Sequence, residues 1–96
     1  MSLSQDYVQD LIALECDSVK ELLLQKNKEY GNSALEPKRI FSKAPTLEQI
    51  KVRIDDKLSR IMSTAEKTIK EDTVQDLIGY LILYRVAERI NHEQYE

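Results

Sequence analysis

Two charged stripes carry the chemistry this sequence offers. Between Val52 and Ile61, Arg53, Asp56, Lys57 and Arg60 recur three, four or seven residues apart. Asp72 and Asp76 stand four apart, with Tyr80 four further on. Residues at these spacings share a helix face. Two carboxylates on one face offer oxygen donors to a hard cation such as Mg²⁺, which takes one or two carboxylates together with phosphate oxygens. Asp72 also has an ordinary explanation, because an acid in a first helical turn complements the helix dipole. Asp76 lies past that turn, directly before an apolar run. Arg53, Lys57 and Arg60 supply planar forks and a point charge of the kind that hold phosphates. The plain alternative is a solvated face in which Asp56 pairs with Arg53 or Arg60, which is worth little. A third cluster, Lys26-Asn27-Lys28-Glu29-Tyr30-Gly31-Asn32, crowds two lysines, an acid and an aromatic into one turn. Helix termination alone explains Gly31 and Asn32. It does not explain Tyr30, whose ring can stack on a base and whose hydroxyl can hydrogen-bond.

Composition removes several other chemistries. Cys16 is the only cysteine and His92 the only histidine. A disulfide framework and a cysteine-based zinc site are therefore excluded, and nucleophilic Ser–His or Cys–His schemes are almost completely removed. No glycine-rich phosphate loop, HExxH or GxSxG is present. The net charge of −3 is spread over mixed signs, unlike the basic stripe of a duplex-binding protein. The longest apolar stretch, Leu77 to Tyr84, is too short to span a bilayer, and no signal peptide is visible at the N-terminus. The expected location is the cytoplasm.

The stripes need long helices to hold them. A chain of 96 residues is bounded to one domain, 1–96, and a domain that small is marginal alone. Only two glycines and two prolines are present, too few turn residues for a β-rich fold. Val8, Leu11, Ile12, Val19, Leu22 and Leu23 form one stripe of a first helix over about 6–29, with Ser4 or Asp6 as its cap. A loop from Gly31 to Pro45 follows, with Leu35, Ile40 and Phe41 expected to anchor it. Thr46-Leu47-Glu48-Gln49 has the form of a capping box. It opens a second helix with Ile50, Ile54, Leu58, Ile61 and Ala65 on its core face, running to about Glu66. Thr68-Ile69-Lys70-Glu71 forms a second capping box. The third helix runs to about Asn91, with Val74, Leu77, Ile78, Leu81, Ile82 and Val86 as its core face. That helix is apolar over more than half its circumference, so a homo-oligomer that packs third helices together is expected. The fold class predicted is all-α, a helical bundle of three main helices per chain completed by homo-oligomerisation.

Three segments taken together resemble one family. They are KNKEYGNS at 26–33, VRIDDKLSRI at 52–61 and EDTVQDLIGY at 71–80. Their order and content are similar to the bacteriophage "nucleotide modification associated domain 1" family. Its pattern is K-N-x-D/E-Y-G, then V-R-x-x-D-K-x-x-R, then E-D-x-x-x-D-L-x-x-Y. The resemblance covers roughly Leu11 to Ala87. That family in turn looks like a distant relative of the MazG-like all-α nucleoside triphosphate pyrophosphohydrolases, which cleave between the α and β phosphates. Those enzymes hold Mg²⁺ with an ExxE motif on one helix and an ExxD motif on the next. By this resemblance Asp72 and Asp76 stand at the second acidic motif, Asp56 begins the first, and Glu29 adds an acid. Arg53, Lys57 and Arg60 would hold phosphates, with Lys26, Lys28, Tyr30 and Asn32 as further ligand contacts. Ser59 and Arg60 stand where the first motif places its second acid, and DxxxD replaces ExxD.

Three functions follow as expectations. One is a phage-type nucleotide-binding protein that acts as a metal-dependent pyrophosphohydrolase. Another is a non-catalytic binder that sequesters a nucleotide or a nucleotide-derived signal in the host cytoplasm, as in evasion of host defence. The third is a structural or interaction module whose charged faces are merely solvated. Mg²⁺ and a nucleotide-derived small molecule are the partners implied, with no duplex nucleic acid and no membrane.

Overall fold

The computed structural model describes residues 2–63 and 71–95. Three α-helices and no strand occur among the described residues: α1 (Gln5–Tyr30), α2 (Thr46–Ser63) and α3 (Glu71–Tyr95). The expected all-α class is borne out. Ala65, Glu66 and the second capping box at Thr68–Lys70 lie outside the described residues. The chain divides into two compact units, Met1–Gly31 and Asn32–Glu96.

The first unit is α1. Ser4 caps it, its Oγ accepting from the Tyr7 amide at 3.3 Å. That satisfies one of the amides that a helix start leaves without an intrahelical partner. The helix ends at Tyr30 because Gly31 takes φ 67° and ψ −154°, a region essentially reserved for glycine. Val19 is buried and Val8, Leu22 and Leu23 are half-buried, but Leu11 and Ile12 of the expected stripe are exposed.

The second unit opens with a loop and closes with a helical hairpin. The loop is braced by side chains. The Arg39 guanidinium donates to the Ala44 carbonyl and to Thr46 Oγ1, at 3.2 and 3.0 Å. Lys43 Nζ donates back to the Arg39 carbonyl at 2.7 Å, and Thr46 Oγ1 donates to the Leu35 carbonyl at 3.3 Å. These bonds replace the capping box expected at Thr46. Pro45 supplies the first helical acceptor, taking the Gln49 amide at 3.1 Å, while the Gln49 side chain donates to the Ala44 carbonyl at 2.8 Å. The expected anchors divide. Leu35 is half-buried, whereas Ile40 is 72% exposed and Phe41 96% exposed. The hydrogen bonds that pin the loop ends turn its middle outward, so Phe41 is not an anchor.

α2 and α3 pack against each other in antiparallel fashion. Lys57 of α2 meets Asp76 of α3, and Lys51, two turns earlier on α2, feels Tyr84 and Glu88, two to three turns later on α3. On α2 the facing side is Ile50, Ile54, Lys57 and Ile61, with Ile50 buried. On α3 it is Asp76, Gly79, Leu83 and Ala87, with Gly79 and Ala87 buried. The expected core face of α3 is therefore corrected. Leu77 and Val86 are half-buried, but Val74, Ile78, Leu81 and Ile82 stay exposed. Small residues let two helix axes approach, and they set the seam where hydropathy alone, apolar all round α3, cannot.

Candidate functional site

The site begins where a charge sits in an aliphatic seam. Lys57 lies between Ile54 and Ile61 on the facing side of α2, and its side chain is only 14% exposed. Its aliphatic stem suits that surface, while its ammonium needs a partner there. Asp76, itself 33% exposed, provides one across the seam, with Oδ2 3.4 Å from Lys57 Nζ. Asp76 can face α2 because it lies three residues before Gly79 and eleven before Ala87, on the same side of α3.

At the solvent edge of the seam the contacts loosen. Arg60 Nη2 lies 3.4 Å from Asp56 Oδ2 one turn away, and both side chains are more than half exposed. Screening leaves such a pair little stabilising value. Arg53, one turn before Lys57, is exposed on the same edge. Asp72 is exposed one turn before Asp76. In the antiparallel register that turn runs toward the Arg60 end of α2. Lys57 and Asp76 are thus brought together across two elements, and Asp56 and Arg60 along one. Among the described residues, no three carboxylate, histidine or cysteine side chains gather as a potential metal-holding group.

The remaining sequence candidates lie along the chain where the first unit ends and the second begins. Lys26, Lys28, Glu29 and Tyr30 occupy the exposed last turns of α1, in the first unit. The Glu29 carboxylate accepts from Gln25 Nε2 at 3.0 Å, and Asn27 Nδ2 donates to the Gly31 carbonyl at 3.2 Å. Asn32 opens the second unit, where its carbonyl accepts the Leu35 and Glu36 amides at 2.9 and 2.7 Å.

Sequence reasoning passed over two features of the hairpin's other end. Lys51 Nζ lies 3.0 Å from Glu48 Oε1. Its pKa is raised above the ordinary lysine value, first by that hydrogen bond and the Glu48 charge, then by Tyr84 and, more weakly, Glu88. Leu81, Tyr84, Arg85, Glu88, Arg89 and His92 also line an open depression along α3. Arg85, Arg89 and His92 repeat the four-and-three spacing that drew attention to Arg53, Lys57 and Arg60, so the signal was present in the sequence.

Comparison with known proteins returns no match: no protein-family model, no curated protein and no solved structure aligns with this chain. Among the described residues no helix is long and apolar enough to cross a membrane.

Proposed function

We propose that the α2–α3 hairpin binds the phosphate chain of a nucleotide or nucleotide-derived signal. In this reading Arg53 and Arg60 take the phosphates at the seam's edge, and Lys57 holds the charge balance inside it. The observation that carries the reading is the Lys57–Asp76 pair. Keeping a lysine 14% exposed among isoleucines opposes hydrophobic packing, and a site that must present charge next to an apolar wall has a reason to do so. Arginine forks flanking that point match the geometry of phosphate oxygens. Binding without turnover is the form this arrangement supports best, because Asp76 is already engaged by a cation.

The MazG-like pyrophosphohydrolase is the second reading. Its support is the Asp72–Asp76 pair on α3 together with Asp56 across the seam and the three motifs described above. Mg²⁺ held by Asp56, Asp72 and Asp76 would polarise the phosphates and activate a water. Homo-oligomerisation belongs to the same proposal, and the exposure of Val74, Ile78, Leu81 and Ile82 on α3 supports it.

A nucleotide panel with and without Mg²⁺ decides between these functions. We expect at least one nucleotide to raise the melting temperature and to be recovered intact, because a ligand of the native state must stabilise it. Release of monophosphate and pyrophosphate, abolished in Asp76→Asn, would replace sequestration by hydrolysis. If no nucleotide shifts the melting temperature, both nucleotide readings fail and the charged pair acts only within the fold.

A further inference from the structure

The loop tip is a built feature that the phosphate site does not use. Phe41 and Ile40 stand out from the surface, 96% and 72% exposed. The loop ends that present this adjacent apolar pair are fixed by the bonds from Arg39, Lys43 and Thr46. The tip is also charged in one sense. From Pro37 to Leu47 the chain has Lys38, Arg39 and Lys43 and no carboxylate, in a protein whose net charge is −3.

One exposed face of α1 has the opposite character. Tyr7, Asp10, Leu14, Asp17 and Glu21 follow one another at three- and four-residue steps, which places them in one stripe. All five are exposed. Between Gln5 and Val19 that helix carries four acids and no lysine or arginine. Asp17 also pairs with Lys20 along the helix at 3.6 Å, and two apolar side chains among three carboxylates on α1 complement two apolar side chains among three cations at the tip.

We propose that these two surfaces bind each other between copies of the chain, the Ile40–Phe41 tip of one copy seating on the Tyr7–Leu14 stripe of a second. Phe41 and Ile40 bury against Tyr7 and Leu14, and Lys38 and Lys43 meet Asp10, Asp17 and Glu21. The contact is small and charged at its rim, so it belongs to the weak, salt-sensitive class of interfaces.

Sedimentation velocity over a concentration series tests the contact. The unmodified protein self-associates, and added salt weakens that association. Phe41→Ser weakens it by about tenfold, the scale expected for a central aromatic anchor. Lys38→Glu and Asp10→Lys each weaken it as well. An equimolar mixture of those two variants associates more tightly than either alone, because the reversed charges meet across one interface. Helix content by circular dichroism, and the nucleotide-induced melting shift where one is found, stay unchanged in Phe41→Ser. The proposal is overturned if the unmodified protein is monomeric at every concentration, or if Phe41→Ser associates as tightly as the parent. It is equally overturned if the mixture gains nothing over its components. A loss of association confined to Leu81→Glu would assign the contact to α3 instead.

Discussion

A lysine among isoleucines is tolerable only while its charge is answered. Asp76 answers it, and the energetic consequence is asymmetric. Breaking a fully buried pair by removing one member costs roughly 3–5 kcal/mol, while replacing both members by apolar residues is often neutral. Lys57 and Asp76 retain some solvent contact, which lowers the penalty to about 1–2 kcal/mol. Urea unfolding of Asp76→Ala is expected to show that loss, and Lys57→Met/Asp76→Leu is expected to recover most of it. Equal destabilisation by the single and double changes would remove the pair from this role. Lys51 gives a second residue-scale expectation, with its sign fixed by linkage. Its pKa is raised in the folded chain, so its contribution is complete below the ordinary lysine value of 10.5 and is lost as pH rises through the folded value. The effect is confined to strongly alkaline solution. NMR titration of the Lys51 side chain is expected to show its pKa falling in Glu48→Gln, because the largest cause is the Glu48 hydrogen bond.

The helices are set by their ends and their small residues more than by their stripes. Gly31 stops α1 with a backbone conformation that other residues rarely adopt, and a Cβ built there meets nothing within 4 Å. The penalty for Gly31→Ala is therefore conformational rather than steric, about 1–3 kcal/mol. Thermal unfolding followed by circular dichroism is expected to register it, and an unchanged melting temperature would show that the turn adapts freely. The start of α2 depends on neighbours that no four-residue motif contains. Thr46-Leu47-Glu48-Gln49 reads as a capping box, yet the Thr46 hydroxyl is committed to Arg39 and Leu35. Its fate depends on an arginine seven residues earlier and a carbonyl eleven residues earlier, which local pattern reading does not weigh.

At the scale of the molecule, the α2–α3 hairpin is the structural frame of the Lys57–Asp76 pair. Gly79 and Ala87 face α2 and are buried in its seam, Ala87 being only 3% exposed. Ala87→Leu is expected to overpack this seam and destabilise by about 1–3 kcal/mol, read as a lower urea midpoint. In the same variant the Lys57–Asp76 distance should lengthen in a solved structure, since both contacts span the same two helices. An exposed position such as Ile78 is expected to accept a polar residue with far less effect on the hairpin, which separates a seam residue from an outward one.

Local sequence was enough for the all-α class, the presence of three helices and the Gly31 stop, and it narrowed the first cap to Ser4 or Asp6, because each rests on residues within a turn or two of one another. The pairing of Lys57 with Asp76 was half legible. Spacing put each on a charged stripe, but only the packing of α2 on α3 brought the two stripes together and gave them a common register. The side of α3 that turns inward was misassigned from periodicity, which placed Val74, Ile78, Leu81 and Ile82 in the core. Leu77 to Tyr84 is apolar all round, so periodicity has no preferred direction, and the choice falls to Gly79 and Ala87, whose small volume lets α2 approach. The outward turn of Phe41 has the same origin. Hydropathy marks it for burial, and hydrogen bonds between distant loop residues decide otherwise.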